Sequence, residues 1–373
     1  MRNFSKLVVL GLAVVLSAQS LAQGNARGNI GESPYNVIRY WADPFQEFGF
    51  GFGGNSGIWA ESPERIIIAQ RGETALPYPL PDDFHGYAGE LGINVLTDTN
   101  RRTWQNCLYT VNADGEVTEI WDHLDFLCAG SEGPGPHRIR ISPYDPESRI
   151  WLVHETFHQI YVISNDGSEV LATYGEKLVP GDDATHFGRP QDVAFLPDGR
   201  ILIADGLDNH RVMIMDNDMN YLGEFGGFGD GPGQFNTIHA LGIGPEGRIF
   251  VLDRSGGEVI LFRTTDDPAV IEFDRSIGSP LTLPLDIIVN ENDFWITDLG
   301  PLRFLNFDFE GNLKYTWLVP RELPDGYLEV HTFSVDPDGN LFGGDNQYGR
   351  TQKFVPKSSS GADLLIEPPW TAN

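Results

Sequence analysis

An internal repeat constrains the fold of this 373-residue chain more than any other feature. One copy opens with the apolar segment 191–195, turns at Pro197-Asp198-Gly199 and continues with the apolar segment 201–205, and the copy starting at His239 follows the same plan. Six copies superimpose, at spacings of roughly 46 to 54 residues after a longer first interval of about 81. They open at Ser56, His137, Gln191, His239, Leu285 and His331.

Repeats of this length, each made of several short strands, are typical of a β-propeller, in which sheets close into a ring. Gly, Asp and Asn separate the apolar segments, and no copy shows a sustained helical period. We therefore predict an all-β fold, a six-bladed β-propeller, as a single domain over 23–373. Because the last copy ends near 351–355, we predict that its outer strand comes from 36–41.

Histidine opens the second, fourth and sixth copies, as His137, His239 and His331, whereas the other copies open with unrelated residues. In a ring of six, alternate units lie about a third of a turn apart, so three imidazoles converge on one axis. Three histidines that leave a fourth position open are the pattern of catalytic zinc, although imidazole also suits Cu, Fe and Ni. The sequence predicts one metal ion per chain, preferably zinc; the alternative is three unrelated core histidines.

Two arginines share another repeat position, directly after a strand. Arg71 holds it in the first copy and Arg254 in the fourth, where the third copy has Gly206. The first and fourth copies face each other across a ring of six, so two guanidiniums are predicted to flank the channel mouth. They favour a substrate that carries a carboxylate or carbonyl. The alternative is that each arginine pairs with a nearby carboxylate, such as Glu73 or Asp253.

The long first interval contains an insertion at about 72–106, rich in Pro, Asp and aromatic residues. It begins directly after Arg71 and therefore at the same face of the ring. We predict a lid or substrate-binding loop, with His85 and Tyr87 as candidate bases; a passive surface excursion is the alternative.

Residues 1–22 have the features of a secretory signal peptide: a basic start, a short apolar core at 7–16 and the small-residue cleavage site Ser20-Leu21-Ala22. That core is too short to span a bilayer, and no later segment is long and apolar enough to do so. The protein is therefore expected to be exported, to the periplasm or the cell exterior.

Acidic residues outnumber basic ones by 53 to 25, and the formal net charge is −28. Such a surface repels nucleic acid and anionic membranes, so the expected partner is a small-molecule or peptide substrate, and we expect a monomer. In an exported chain, the two cysteines, Cys107 and Cys128, predict a disulfide; two thiol ligands for the metal are the alternative. Four aspartates recur near strand ends and are predicted to bond turn amides: Asp205, Asp253, Asp298 and Asp345.

The segment 187–193, together with Asn209-His210-Arg211-Val212 and Gly233-Gln234-Phe235, resembles NHL repeats. More narrowly, most of 50–356 is similar to the peptidyl-α-hydroxyglycine α-amidating lyases. The resemblance implies that the zinc histidines of that family fall on His137, His239 and His331 and its active-site arginines on Arg71 and Arg254.

Two positions depart from that family. Its catalytic tyrosine lies in a motif that reads Asp205-Gly206-Leu207-Asp208-Asn209 here, so leucine replaces it. The family's aspartate after the third zinc histidine, associated with structural calcium, is Thr332 in this chain. The metal and the arginines are therefore retained, while the base and calcium as a second cofactor stay open.

Three functions remain open on sequence alone. The first is a secreted zinc lyase that cleaves the C–N bond of a carbinolamide, an α-hydroxyglycine-type substrate, with metal hydroxide, Tyr87 or His85 as base. The second is a zinc hydrolase that attacks an ester, lactone or amide with metal-bound hydroxide and needs no tyrosine. The third is a non-catalytic propeller that binds a ligand or a protein.

Overall fold

The structure is a computed structural model that describes residues 30–321 and 326–372. The predicted signal peptide, 1–22, lies outside the described residues. Within them the chain forms seven β-sheets, and six of these contain four antiparallel strands in succession. No helix in the two described ranges combines the length and apolar character needed to cross a membrane.

The first third of the chain builds blade 1, two strands that join later blades and a small separate sheet. Its strands are β1 (Ile30–Gly31), β2 (Tyr35–Ile38), β3 (Phe50–Phe52), β4 (Asn55–Ser62), β5 (Arg65–Gln70), β6 (Glu73–Ala75), β7 (Arg102–Thr103), β8 (Leu108–Val111) and β9 (Val117–Ile120). Blade 1 has the order β4-β5-β8-β9, and β3-β6-β7 form a small separate sheet. The α-helix α1 covers Ile93–Thr97, and 3-10 helices cover Ala88–Leu91, Thr99–Arg101 and Asp122–Leu127.

The remaining strands form blades 2 to 6 in chain order. Blade 2 contains β10 (Pro136–Ile141), β11 (Ile150–His154), β12 (Gln159–Ile163) and β13 (Val170–Tyr174). Blade 3 contains β14 (Asp192–Phe195), β15 (Ile201–Asp205), β16 (Arg211–Met215) and β17 (Tyr221–Gly226). Blade 4 contains β18 (Ile238–Gly244), β19 (Arg248–Asp253), β20 (Glu258–Thr264) and β21 (Ile271–Ile277).

Blade 5 contains β22 (Pro284–Val289), β23 (Asp293–Leu299), β24 (Leu302–Asp308) and β25 (Leu313–Leu318), with β1 added in parallel to β25. Blade 6 contains β26 (Thr332–Val335), β27 (Leu341–Asp345) and β28 (Arg350–Pro356). Two further 3-10 helices cover Pro245–Gly247 and Ala362–Leu364.

The ring is closed by the two ends of the chain. The N-terminal strand β2 pairs with β28 and completes blade 6 as its outer strand, with Tyr35 opposite Pro356 and Ile38 opposite Lys353. The predicted outer strand at 36–41 is therefore found, one residue earlier and shorter. The innermost strand of each blade contacts that of the next, and β26 contacts β4. The prediction of an all-β propeller is confirmed.

The core lies between neighbouring blades. The second strand of each blade is apolar and buried on both faces, as in Ile66–Ala69 and Ile201–Ala204, because each blade is covered by its neighbours on either side. Between blades 1 and 2, for example, Ile67 and Leu108 pack with Ile139 and Leu152. Stacking therefore gives each copy a core that it could not build alone.

The prediction of a disulfide between Cys107 and Cys128 is wrong for this structure. Both cysteines are free and buried among the apolar side chains between blades 1 and 2. A hydrogen bond with Cys128 and then burial raise the pKa of Cys107. Because the thiolate is the reactive form, this shift keeps Cys107 a neutral, packed thiol.

The insertion at 72–106 has a small core of its own, formed by Leu76, Ala88 and Leu96. It is held against the ring by side chains at its end: Arg102 Nη1 donates to the carbonyl of Gly133, and Trp104 Nε1 to that of Ser131. The insertion is therefore a packed, ordered unit beside the channel mouth.

Candidate metal centre and active site

β-bulges place the opening residue in four of the six repeats. In β10, Pro136 pairs with His154 and Arg138 with Val153, so His137 has no cross-strand partner. The same irregularity lies at His239 in β18, and also in β4 and β22. A bulge re-aims a side chain that ordinary alternation would send to the other face of the sheet. It therefore lets two consecutive residues of these four strands face the channel, whereas the other two opening residues directly precede β14 and β26.

The three histidines converge on the channel axis. Their ligand nitrogens all lie within 4.8 Å of one another. The ring centroids are 4.8 to 5.0 Å apart and the ring planes cross at 80 to 82°. His137, His239 and His331 are 2, 0 and 3% exposed. Three nitrogens that surround one zinc at about 2.1 Å lie at most about 3.6 Å from one another, so an inward movement of roughly 0.7 Å by each ring brings all three within reach of one ion.

Backbone carbonyls fix the orientation of each imidazole. Nδ1 of His137 donates to the carbonyl of Gln191 at 2.8 Å, and Nδ1 of His239 to that of Leu285 at 2.5 Å. His331 makes the same bond to Ser56 at 3.1 Å. Each accepting residue opens the following copy of the repeat. Because the proton is held at Nδ1, the lone pair of each Nε2 is free for a metal.

Burial keeps the three rings neutral. Desolvation lowers the pKa of His137, His239 and His331 well below the usual value of 6.5, and neighbouring histidines and arginines lower it further. Nε2 of His239 is buried and makes no hydrogen bond within the described residues. An unpaired nitrogen in a dry site costs free energy unless something binds it. The donor set therefore fits a metal ion that prefers imidazole.

Arg71 and Arg254 lie at the mouth, each directly after its strand, and both are largely buried. Arg71 Nη2 contacts Glu155 Oε1 at 3.4 Å, while the Arg71 Nε has no hydrogen-bond partner in the described part of the chain. Burial lowers the pKa of both arginines, and the carboxylates of Glu155 and Glu329 oppose that shift. The arginines therefore share two carboxylates, and the expected partners Glu73 and Asp253 instead bond neighbouring amides.

Glu155 is a site residue that the sequence reasoning missed. It is 3% exposed and also accepts from Arg189 Nη2 at 3.2 Å and from Gln191 Nε2 at 3.1 Å. The signal was available, since Glu155 follows β11 at the repeat position that holds Arg71 in blade 1. Glu155 joins two arginines and thereby holds their guanidiniums over the histidines.

Glu329 was missed as well. It is 8% exposed, and its Oε1 has no hydrogen-bond partner within 30–321 and 326–372. Burial raises its pKa to about 7, and the nearby Asp345 adds to the rise while Arg71 and Arg254 oppose it. Glu329 and Arg189 occupy the same repeat position, two residues before the opening residue, and this shared register was the signal for both.

The two candidate bases of the insertion have their own partners in the structure. The Tyr87 hydroxyl donates to the carbonyls of Trp41 and Ala42, both at 3.1 Å, and burial raises its pKa. His85 stacks on Tyr40 at 3.9 Å and pairs with Glu90. Leu207, where the amidating lyases have tyrosine, follows the buried Gly206 at the end of β15 and is partly buried.

The recurring aspartates bond backbone amides, as predicted. Asp253 accepts from the amides of Asn236 and Thr237 at 2.6 and 2.7 Å. Asp345 accepts from the amides of Leu328 and Gln347. These carboxylates tie each blade to the segment that enters it, and they place the residues of the mouth.

Comparisons with known proteins agree with this architecture. The NHL repeat model matches residues 187–214. A probable peptidyl-alpha-hydroxyglycine alpha-amidating lyase of Caenorhabditis elegans is 31% identical over 223 residues, which cover 59% of this chain and 55% of that protein. Peptidyl-glycine alpha-amidating monooxygenase B of Xenopus laevis is 27% identical over 239 residues, covering 60% of this chain and 26% of that protein. The chain thus spans between about a quarter and about half of these relatives.

Solved structures support the fold. A streptogramin B lyase superimposes with a TM-score of 0.51 at 11% identity, covering 87% of this chain and 98% of that one. A virginiamycin B lyase from Staphylococcus aureus gives 0.50 at 13% identity, covering 86% and 99%. The resemblance to NHL-repeat propellers and to the amidating lyases is confirmed, and the chain is similar to lyase-like propeller enzymes.

Proposed function

We propose that this chain is a zinc-dependent lyase that cleaves the carbon–nitrogen bond of an α-hydroxyglycine-type carbinolamide. The observation that carries the proposal is the set of three neutral histidines with free Nε2 atoms and the two partly buried arginines near them. The names of the relatives supply the reaction type. The predicted signal peptide supports a reaction outside the cytoplasm, by a protein that acts as a monomer.

The histidines would hold one zinc ion per chain. Bound zinc supplies a Lewis acid that polarises a substrate oxygen. The contribution of the protein is to prepare the ligands: the carbonyls of Gln191, Leu285 and Ser56 hold the protons at Nδ1, and burial excludes water.

The arginines would bind the anionic end of the substrate. Arg71 has a buried Nε without a partner among the described residues. Burial lowers the pKa of Arg254, which lies close enough to Glu155 and Glu329 for their charges to oppose that shift. Together with Arg189, they place three guanidiniums against two carboxylates in a protein whose net charge is −28. A carboxylate is the group that such a fork of donors binds best. Glu155 is a positioning residue, since it contacts two of these arginines and holds them over the channel.

A zinc hydrolase acting on an ester, lactone or amide is the second candidate. One observation favours it: Leu207 offers no proton donor or acceptor where the amidating lyases have tyrosine. Attack by metal-activated water needs only the histidines and a carbonyl substrate.

The products distinguish the two reactions. Zinc-loaded protein is incubated with a peptidyl-α-hydroxyglycine and, separately, with ester and lactone substrates, and glyoxylate and acid release are measured. We expect glyoxylate from the first substrate, at a rate below that of enzymes with the tyrosine. We also expect Leu207→Tyr to raise that rate, because a well-placed general acid or base contributes about a hundredfold or more.

His239→Ala is the control for metal dependence in both assays, and Arg263→Gln is the control for loss of an exposed ion pair. Ester or lactone turnover that depends on His239, with no glyoxylate from wild type or Leu207→Tyr, would establish the hydrolase and reject the lyase.

A further inference from the structure

A second layer of side chains lies directly behind the histidines. We call the six opening residues the histidine layer and the six residues that follow them the ion-pair layer. The ion-pair layer consists of Gly57, Arg138, Asp192, Ala240, Asp286 and Thr332. Its charged members are fully buried, with Arg138, Asp192 and Asp286 each 0% exposed. A full guanidinium and two carboxylates therefore share the dry interior of the ring.

Arg138 is surrounded by oxygen atoms from other blades. Its Nη1 lies 2.7 Å from Asp286 Oδ2, and its Nε lies 3.9 Å from Asp192 Oδ1. Its Nη2 donates to the carbonyls of His239 and Leu285 at 3.3 and 3.4 Å. Two carboxylates and two carbonyls are the oxygen ligands that hard divalent cations such as calcium take in proteins.

The same two carboxylates connect the inner strands. Asp192 accepts from the amide of Leu241, and Asp286 accepts from Thr332 Oγ1 and from the amide of Phe333, each at 3.0 Å. Through Arg138, these bonds link inner strands from blades 2, 3, 4, 5 and 6.

We infer that the Arg138 guanidinium takes the position of a structural divalent cation on the channel axis, so that the ring is held together without calcium. Calcium does not fit this layer, because the guanidinium already occupies the space between the oxygen atoms that would bind it. Arg140 adds a second positive charge, 2.8 Å from Asp192 Oδ2 and 3.3 Å from Asp286 Oδ1.

Charge balance explains why the layer excludes a metal. Two guanidiniums and two carboxylates cancel, so a divalent ion would bring two uncompensated charges into the buried centre of the ring. Thr332, where the amidating lyases have a further aspartate, adds no negative charge and donates to Asp286 instead. This inference concerns the stability of the ring and does not depend on the proposed reaction.

The first test uses the wild-type protein, loaded with one equivalent of zinc and dialysed into calcium-free buffer. We expect the same Tm with and without millimolar calcium, and no calcium by elemental analysis of the purified protein. A calcium-specific rise in Tm of several degrees that magnesium does not reproduce, or one bound calcium per chain, would overturn the inference.

The second test removes the internal cation. Arg138→Gln leaves Asp192 and Asp286 with one guanidinium and should lower Tm by roughly 5–10 °C. Calcium should then recover a substantial part of the lost Tm, because the emptied set of oxygen atoms can bind it. Arg138→Lys keeps a positive charge, so it should depend less on added calcium than Arg138→Gln. Arg263→Gln, which removes an exposed arginine paired with Asp274, is the matched control and should show neither effect.

A Tm of Arg138→Gln equal to wild type, or a loss that calcium does not reduce, would show that the guanidinium does not act as the cation of this layer. If Arg138→Gln fails to fold, the same calcium titration on Arg138→Met, which also lacks the charge, decides the question. There, a calcium-dependent rise in Tm supports the inference and its absence rejects it.

Discussion

The histidine layer and the ion-pair layer are built from adjacent residues along the six innermost strands. The histidine layer is uncharged, whereas the ion-pair layer contains buried charges. The histidine layer has three neutral rings, and Nε2 of His239 has no hydrogen-bond partner in the described protein. The ion-pair layer carries its own cation, Arg138, against Asp192 and Asp286. The same fold can therefore present either neutral imidazoles or an internal cation on the axis. The charges that neighbouring blades bring to the axis make the difference.

The two layers are also physically joined. The carbonyl of Leu285 accepts from Nδ1 of His239 at 2.5 Å and from Nη2 of Arg138 at 3.4 Å. The internal cation therefore supports the orientation of one proposed metal ligand, and a change in either layer is expected to be felt in the other.

The largest expected effect comes from the histidine layer. His239→Ala removes one of three ligands and should lower zinc affinity by more than about a hundredfold, with loss of turnover. Zinc per chain after dialysis, measured by elemental analysis together with activity, checks this. Equal zinc content in wild type and a variant with all three histidines replaced by alanine would rule out the metal site.

A smaller effect is expected at the mouth, which neither layer includes. Arg254→Ala and Arg71→Ala should each lower kcat/KM by roughly ten- to a hundredfold, because each removes one charge-assisted contact to the substrate. Zinc content should stay at the wild-type value, since neither arginine is a ligand. A parallel fall in zinc and in kcat/KM would place these arginines in the metal site and remove the basis for a substrate role.

The smallest expected effect is the pH dependence of stability that comes from His154, a buried histidine outside both layers. Burial and then Lys177 lower the pKa of His154 from 6.5 to about 3. The unfolded chain takes up this proton below about pH 6.5 while the native protein does not, so stability falls as the pH drops from 6.5 towards 3. At pH 5 the loss is about 2 kcal/mol in the free energy of unfolding.

Urea unfolding of zinc-loaded wild type and His154→Asn at pH 7 and pH 5 measures this contribution. The variant should lose less stability between the two pH values than wild type by about that amount. The same pH dependence in both proteins would show that His154 is protonated in the native state.

Much of the site could be predicted from repeat register. His137, His239 and His331 share one position, and Arg71 and Arg254 share another, so position in the copy predicted position in the ring. Glu155 shares the register of Arg71, and Arg189 and Glu329 share a third register, two residues before the opening residue. The two carboxylates were overlooked because a single carboxylate in a strongly acidic chain carries little weight.

Other features depended on contacts that the sequence did not show. Tyr87 follows Arg71 closely along the chain, but its hydroxyl bonds the carbonyls of Trp41 and Ala42 in the N-terminal segment. The disulfide was predicted from the export signal and the even number of cysteines, yet Cys107 and Cys128 are free and packed in an apolar cluster. In both cases the environment is supplied by residues distant in sequence.

The sequence alone determined the repeat, the ring and which residues share a layer, because strand period and copy length are local properties that recur along the chain. The tertiary structure decided which groups are paired. The proton at Nδ1 of each histidine depends on a carbonyl from the next copy, and the neutrality of the ion-pair layer depends on charges from blades 2, 3 and 5. Such pairings follow from distances across the ring, where Coulomb and desolvation energies are set by three-dimensional neighbours rather than by sequence order.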